Sequence, residues 1–440
     1  MLTAMVLIVI LIATCWRAEV GLAISLQSYL IRSAPYSPNY IESASNMDGD
    51  PLLSIAAPLL VYVIILLKRF SKEEKYRIRN LDTYFFLLGI ALLIGTLYAP
   101  SQYESLVVSI KYFTIGVGYY YIARLYFAKH EAPHKAGENF MVATWLIAFI
   151  LGSYAYIQSF GQDYFRLTIG NAHPIPFSLL IASGVLINLF WLFQKRHSPP
   201  KQALFFCSLF ILLVIFISAN TRGTILSLLG ALFFLLLVSL VQKKLKIKYM
   251  IVGVIVLLFS SLLVNLLIPN TLQTVKNNLG LITSEDKGVS INERSLAYED
   301  AIKLFQDQLW LGVGTAGFKY YSIIDYPHNV FLEIMSENGI YGTIMLLLIF
   351  LTLIFMLVRI IYKGSGIMVL VGSLVVLNMV EMQFSFSLWM HKFFFLLCGI
   401  LISIFVKEIK HKKTKEIKHE ECMSFHVGAD YGTDTSFRYH

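Results

Sequence analysis

The chain has 440 residues, of which 57% are hydrophobic and only 14% are charged. Soluble domains carry about 25% charged residues, so this composition excludes a soluble globular protein and predicts an integral membrane protein. The formal net charge of +9 does not indicate a nucleic-acid partner, because Lys and Arg are concentrated in alternate loops, as they are in cytoplasmic loops of membrane proteins. The cysteines lack metal-ligand spacing.

Apolar runs that are long enough to cross a membrane follow one another along the chain. A span needs roughly 20 apolar residues, and about a dozen runs fit. We predict an all-α polytopic membrane protein with about 12 transmembrane helices. The predicted spans are 2–16, 51–67, 81–99, 105–123, 140–158, 175–193, 203–218, 223–241, 249–268, 339–358, 366–384 and 389–406.

The charge of the loops predicts which side of the membrane each one faces. Cytoplasmic loops collect Lys and Arg, and this favours a cytoplasmic position for 68–79, 124–135, 195–201, 243–248, 359–363 and the C-terminal tail. The opposite side is predicted for 17–50, 159–174, 220–222 and 269–338. Both termini are then expected in the cytoplasm.

The spans divide the chain into four parts. We predict an N-terminal transmembrane bundle of about nine spans (1–268), an extracytoplasmic loop with candidate catalytic residues (269–338), C-terminal spans (339–406) and a basic cytoplasmic tail without order (407–440). Asp48 and Asp50 form a weak DxD pattern that is also ordinary turn chemistry, so no metal site is predicted.

The long outer loop contains a predicted amphipathic helix at 292–310, which lies on the membrane surface or caps the bundle. Its apolar positions recur at helical spacing: Leu296, Ala297, Ala301, Leu304, Phe305 and Leu309. A glycine-rich turn follows, in which Gly312 and Gly314 allow the backbone to approach another group closely.

His328 and Asn329 stand where this loop meets the next span, directly after Pro327. Either residue can cap the helix that follows, whose free N–H groups and positive dipole end attract phosphate. The same field disfavours imidazolium, so a neutral His328 that accepts a proton is expected. Asn329, Glu333 and Glu337 follow one another at intervals of four residues and form a polar stripe on the helix. The alternative is a histidine that serves only as a helix cap.

Arginines are scarce in the predicted outer loops. Arg222 begins a span and Arg294 begins the amphipathic helix. A guanidinium fork suits diphosphate oxygens, although an arginine at a span end can also simply reach the lipid headgroups. Arg166 and His173 occupy another outer loop, where a structured turn is the alternative to a functional site.

Taken together, these residues resemble the O-antigen ligase and O-antigen polymerase family of bacterial membrane glycosyltransferases. The resemblance rests on an ordered set over residues 160–342. The set consists of the segment RLTIGNAHPIP (166–176), Arg222-Gly223, Arg294, Trp310, Gly312, Gly314, His328-Asn329, Gly339 and Gly342. The proline that usually precedes the GxG is replaced here by Leu309-Trp310-Leu311.

The resemblance implies a GT-C-like fold in the bacterial cytoplasmic membrane and a glycosyltransferase that needs neither metal nor other cofactor. Its donor would be an undecaprenyl-diphosphate-linked glycan, and its acceptor another lipid-linked repeat or a surface polymer, with polysaccharide-assembly proteins as possible partners. Arg222 and Arg294 would hold the diphosphate, and His328 would orient or deprotonate the acceptor. The expected substrate-binding residues are Asn329, Arg166, His173, Glu333, Gly312 and Gly314.

The product of such an enzyme would be O-antigen, capsule or a teichuronic-acid-like polymer. The compact outer loop slightly favours a polymerase over a ligase. Two other classes stay open, namely a transporter or flippase of lipid-linked oligosaccharide and a structural scaffold. Transporters place ionisable residues near the membrane midplane, whereas the polar residues here lie at outer span ends, so the enzyme is the leading prediction.

Overall fold

All regular secondary structure in the described part of the chain is helical. The computed structural model describes residues 2–36, 51–69, 78–160, 166–194, 198–243, 289–364 and 366–408. The Asp48–Asp50 turn, the predicted span 249–268 and the tail after residue 408 lie outside these ranges. The all-α prediction is confirmed.

Fifteen α-helices follow one another in the described ranges. They are α1 (Leu2–Trp16), α2 (Ala18–Leu26), α3 (Ser28–Ser33), α4 (Pro51–Arg69), α5 (Asn80–Gly95), α6 (Gln102–Lys111), α7 (Val117–Lys129), α8 (Pro133–Gln158), α9 (Pro174–Gln194), α10 (Pro199–Ala219), α11 (Arg222–Val241), α12 (Val289–Asp307), α13 (Val330–Lys363), α14 (Gly366–Glu381) and α15 (392–408).

Six helical segments are long and apolar enough to cross a membrane: Gln102–Lys129, Pro133–Gln158, Pro174–Leu192, Pro199–Ala219, Arg222–Val241 and Val330–Lys363. Shorter apolar helices accompany them, including α1, α5 and α14. The chain is therefore a multi-pass membrane protein by length and composition, while the count of about 12 spans stays a prediction.

The two ends of the helix bundle can be distinguished by the residues that meet there. At one end Lys68 donates to the backbone oxygens of Thr14 (3.0 Å) and Cys15 (2.5 Å), and Lys407 donates to the backbone oxygen of His130. We call this the basic end. Helix α8 starts beside it and runs for 26 residues, about 39 Å at 1.5 Å per residue, to the opposite end, which we call the site end.

The segment 17–36 corrects the predicted topology. The sequence predicts an outer loop here, but the segment forms α2 and α3. Arg17 lies at the basic end, where it lines one cavity with Lys68 and Lys135. The prediction that Arg17 and Lys68 face opposite sides is wrong. Helices α1 and α15 both end at the basic end, and the position of the two termini relative to the membrane stays a prediction.

Polar residues inside α2 explain why the sequence did not reveal this helix. Glu19 is only 3% exposed, and its carboxylate accepts hydrogen bonds from the Tyr126 hydroxyl (2.9 Å) and from Asn139 Nδ2 (3.0 Å). An ionisable residue within a membrane bundle normally has such partners. These partners lie more than 100 residues away, so the local sequence does not identify them.

Helix α13 is broken at Gly339, which has φ 58° and ψ −153°. The loop before it closes over this break, since Val313 N donates to Ser336 O (2.9 Å) and Ile340 N donates to Leu309 O (2.9 Å). A Cβ atom on Gly339 would lie 2.5 Å from the Trp310 carbonyl carbon. The predicted start of a span at Gly339 thus corresponds to the break between a short helix and a long one.

A single π-helical turn, Tyr112–Gly116, separates α6 from α7. Its Tyr112 is fully buried and donates from its hydroxyl to Phe85 O at 2.9 Å. Just before it, Lys111 Nζ lies 4.3 Å from the ring centroid of Trp389. Such turns occur frequently at functional sites, and this one packs below the segment Leu388–Met390.

Candidate active site

Three arginines from separate segments converge at the site end. Arg166 lies in the loop before α9, Arg222 is the first residue of α11, and Arg294 lies on α12. Burial and the positive charges of Arg222 and Arg294 lower the pKa of Arg166. The three guanidinium groups are therefore within electrostatic reach of one another. The sequence predicts a shared anion site for Arg222 and Arg294, and the structure adds Arg166 to them.

Two histidines border this cluster and both are neutral near pH 7. Burial and the charges of Arg294 and His173 lower the pKa of His328 to about 4. Burial and the charge of Arg166 lower the pKa of His173 to about 4. The sequence predicts a neutral His328 from the helix dipole, and the structure adds burial and arginine charge as causes.

The backbone of His328 holds its ring in an unusual position. Its φ is +57°, a left-handed conformation that is uncommon for residues other than glycine. The ring centroid lies 4.3 Å from that of Tyr326, at an interplanar angle of 45°. Nδ1 of His328 is buried and has no hydrogen-bond partner among the described residues. This nitrogen is in a suitable state to accept a proton.

Asn329 is the N-cap of α13. Its side-chain oxygen accepts hydrogen bonds from the backbone N–H groups of Phe331 (3.0 Å) and Leu332 (3.1 Å). Its Nδ2 donates to Gln383 O at 3.3 Å. Of the two predicted caps the structure uses Asn329, which fixes the start of the helix beside His328. A direct role of Asn329 in binding substrate stays a prediction.

Two buried carboxyl groups on α13 hold the neighbouring loops in place. Glu333 accepts hydrogen bonds from the Ser387 hydroxyl and from Leu388 N (2.9 Å). Glu337 accepts from the backbone nitrogens of Ala316 (2.8 Å) and Phe318 (3.3 Å). The polar stripe predicted from the sequence therefore exists, and a substrate-binding role of Glu333 stays a prediction beside this observed role.

Gly312 and Gly314 let the loop approach other backbone segments closely. They have φ +71° and +91°, and a Cβ atom on each would lie 2.4 Å from the Glu337 carbonyl carbon and 2.5 Å from Ala99 Cα, respectively. The close approach that the sequence predicts is thus to protein atoms. Their assignment as substrate-binding residues stays a prediction.

The sequence interpretation did not single out Tyr326 or Phe386. Phe386 has φ +66°, and its ring centroid lies 5.8 Å from that of His173 and 6.1 Å from that of His391. A bulky side chain in this conformation is an outlier that often marks a functional site. Nothing in the local sequence around Phe386 signals it.

Glu381 explains why a glycine follows Arg222. Its side chain is fully buried, Oε2 accepts from the Ser227 hydroxyl (2.9 Å), and Oε1 lies 3.1 Å from where a Cβ atom of Gly223 would stand. Glu381 is also within electrostatic reach of Arg294. The carboxyl group of Glu381 thus approaches the arginine cluster from α14.

Comparison with known families indicates the class of protein. A family model described as O-Antigen ligase matches residues 207–347, a range that contains Arg222, Arg294 and His328. The match supports the O-antigen ligase and polymerase family and confirms the resemblance found from the residues. No curated protein and no solved structure matches the chain significantly.

Proposed function

We propose that the protein is a membrane glycosyltransferase that polymerises or ligates undecaprenyl-diphosphate-linked oligosaccharide into a cell-surface polysaccharide on the extracytoplasmic side. The observation that carries this proposal is the electrostatic convergence of Arg166, Arg222 and Arg294 beside the neutral His328. The family match to an O-antigen ligase supports the class of enzyme and lends no support to a transporter.

The donor diphosphate is the group that fits the arginine cluster. Three guanidinium groups within reach of one another repel, and an anion with several oxygens relieves that repulsion. A planar guanidinium binds such oxygens through paired hydrogen bonds. Arg222 and Arg294 then offset the negative charge that develops on the diphosphate as it leaves, the task that a metal ion has in many other transferases.

The reaction transfers a glycosyl group between two oxygens. The acceptor hydroxyl oxygen attacks the anomeric carbon of the donor and forms a new C–O bond. The bond from that carbon to the diphosphate oxygen breaks, and its electron pair leaves with the diphosphate. The hydroxyl proton passes to His328, whose buried Nδ1 has no hydrogen-bond partner in the described ranges.

Donor binding also makes His328 a stronger base. The positive charge of Arg294 is one cause of its low pKa, after burial. A bound diphosphate opposes that charge and raises the pKa of His328 toward the ordinary value of about 6.5. The imidazole therefore accepts the acceptor proton most readily when the donor is in place.

The direct test uses purified protein in lipid vesicles with a labelled lipid-linked oligosaccharide repeat. A ladder of longer products identifies a polymerase, and single-step transfer to a separate acceptor identifies a ligase. We expect His328→Ala to lower the rate by about 10²- to 10⁴-fold, as loss of a general base does. The exposed His134 at the basic end provides the control variant His134→Ala, which should keep wild-type activity.

The proposal fails if wild-type protein releases no diphosphate lipid from the labelled donor with any acceptor offered. It also fails if His328→Ala and Arg222→Ala both retain full activity. The side of the membrane is tested separately by cysteine labelling. Cysteines placed at the exposed Tyr320 and Ile323, in a background without native cysteines, should react with a membrane-impermeant reagent added outside intact cells.

A further inference from the structure

A second cavity lies at the site end, on the other side of Tyr326 from His328. Its volume is about 350 Å³, within the range of roughly 300–1,000 Å³ that ligand sites occupy. It is lined by Tyr103, Glu104, Val107, Val108, Ala316, Lys319, Asp325, Tyr326, Glu333, Glu337, Ser387, Trp389 and Met390. None of the three arginines lines it, so the diphosphate site and this cavity are separate.

Aromatic rings form the walls of the cavity. Tyr103 is 78% exposed and offers a free face at the mouth. Trp389 is held from below by Lys111, whose Nζ lies 4.3 Å from its ring centroid. Tyr326 separates the cavity from His328, with ring centroids 4.3 Å apart. Rings with apolar faces and polar tips suit a ligand that is apolar on its C–H faces and polar at its edge.

The polar groups of the cavity are mostly carboxyl groups. Glu333 and Glu337 are buried at its inner wall. At the mouth, Lys319 Nζ forms an ion pair with Glu104 at 2.7 Å, so the charge of Lys319 is offset and Asp325 adds a further negative charge. The exposed Asp325 carboxylate accepts hydrogen bonds from hydroxyl or ammonium groups and repels other carboxylates. The buried oxygens of Glu333 and Glu337 already accept hydrogen bonds from the protein, so Asp325 carries the selectivity.

The position of Tyr326 connects this cavity to the chemistry. Its ring contacts His328 on one side and the cavity on the other. Burial, Glu333 and Asp325 raise the pKa of Tyr326, so its hydroxyl stays protonated and can donate a hydrogen bond. Tyr326 therefore borders a sugar in the cavity on one side and the imidazole of His328 on the other.

We infer that this cavity is the subsite for the acceptor sugar, and that it takes a neutral or amino sugar and excludes an acidic one. The inference rests on the proposed function for the identity of the substrate that supplies the sugar. The binding itself depends only on the cavity. The two halves of the site end then differ in charge, with three arginines in the half for the donor diphosphate and the exposed Asp325 carboxylate at the mouth of the half for the acceptor.

The test measures binding of simple methyl glycosides to the full-length protein in lipid nanodiscs, without any donor, by saturation-transfer NMR. The three probes are the methyl glycosides of glucose, glucosamine and glucuronic acid. We expect saturable binding of the first two and no binding of the third. Tyr103→Ala should weaken glucoside binding about fivefold, as loss of one stacking ring does. Tyr321→Ala, at an exposed tyrosine outside the cavity, should not.

A charge reversal sharpens the test of selectivity. Asp325→Lys should permit binding of the glucuronide and weaken that of the glucosaminide. Asp307→Lys, at an exposed aspartate that does not line the cavity, should change neither. The inference is overturned if the glucuronide binds wild-type protein as well as the glucoside does, or if Tyr103→Ala and Asp325→Lys behave like their controls.

The outcomes for this subsite and for the proposed function can be told apart. If no glycoside binds while labelled donor is still converted, the acceptor subsite lies elsewhere and the transferase proposal stands. If the glycosides bind as expected while no donor is ever converted, the cavity is a sugar site in a protein with another function. Binding is measured without donor, so neither result depends on the other.

Discussion

Buried charges at the two ends of the bundle are arranged in opposite ways. At the basic end Arg124 and Asp82, each 3% exposed, lie with Nε and Oδ1 3.6 Å apart, and the Tyr120 hydroxyl donates to the same Oδ1 at 2.5 Å. At the site end the charges that lower the pKa of Arg166 belong to two other arginines. One end places opposite charges together, and the other gathers like charges.

This difference separates a structural role from a binding role. A buried pair of opposite charges offsets part of its desolvation cost by mutual attraction, and losing one partner leaves a costly single charge. Like charges brought together raise the free energy of the folded state and are retained where a ligand of opposite charge binds. The same type of residue therefore contributes to folding at one end and, in our proposal, to catalysis at the other.

Removing Arg124 should produce the largest change in stability. We expect Arg124→Ala to lower the free energy of unfolding by about 3–5 kcal/mol, because it leaves the Asp82 carboxylate buried without its ion partner. Denaturant titration in mixed micelles measures this. A double variant, Arg124→Leu with Asp82→Asn, should recover part of the loss. A loss below about 1 kcal/mol for Arg124→Ala would show that the pair is not important for folding.

Removing Arg294 should lower activity strongly and change stability little, which is the opposite of the result expected for Arg124. We expect Arg294→Ala to lower the transfer rate by about 10²- to 10³-fold, as loss of one charge-stabilising donor does. The free energy of unfolding should change by less than about 1 kcal/mol, because the repulsion from the other arginines and the attraction to Glu381 are lost together. Arg294→Lys should restore only part of the activity, since an ammonium lacks the planar fork. The exposed Lys303 on the same helix supplies the control Lys303→Ala. A destabilised and fully active Arg294→Ala protein would contradict the comparison.

The break in α13 connects the candidate base to the long span, and Gly339 tests its importance. An alanine there meets both a strained φ of +58° and the Trp310 backbone at 2.5 Å, so we expect a loss of about 1–3 kcal/mol or more in the free energy of unfolding. Gly366 is the matched control, with φ +49° but nothing within 4 Å of its Cβ position. Gly366→Ala should cost about 1 kcal/mol. Equal losses at both positions would show that the contact with Trp310 is unimportant.

The pH dependence of the transfer rate is the smallest of the predicted effects, because the rate should change little near neutral pH. His328 must be neutral to accept a proton, so the rate should fall as pH decreases through its pKa. For kcat/KM, which reports the free protein, that fall should centre near pH 4. For kcat, which reports the complex with substrate, it should lie at higher pH because the diphosphate opposes Arg294. If kcat and kcat/KM fell at the same pH, the proposed effect of the diphosphate on the pKa of His328 would be contradicted.

Ionisable residues next to predicted spans could be recognised from the sequence. Arg222 and His328 stand next to spans, where such residues are costly and therefore informative, and their role in the site stays a prediction. Helix α2 could not be recognised, because Glu19 lowers its hydropathy and its partners Tyr126 and Asn139 are distant in sequence.

The surroundings of the candidate site also depend on contacts between distant segments. The approach of Glu381 to Gly223 follows from the packing of α14 against α11, and the left-handed Phe386 lies in the segment after α14. The periodicity of the sequence can place such residues inside a span, but it does not identify the distant residues that they contact. The glycines at 312 and 314 illustrate the same limit, since a close approach can be predicted from glycine while the approaching group cannot.

The central claim is that the cluster around Arg294 binds a diphosphate beside a neutral His328. The most direct measurement is an NMR titration of ¹⁵N-histidine-labelled protein, with His328 assigned by its absence in His328→Ala, in the presence and absence of farnesyl diphosphate. We predict a pKa near 4 for His328 in the free protein and a clear rise toward 6.5 when the diphosphate is bound. A pKa that is the same with and without the diphosphate would contradict the account.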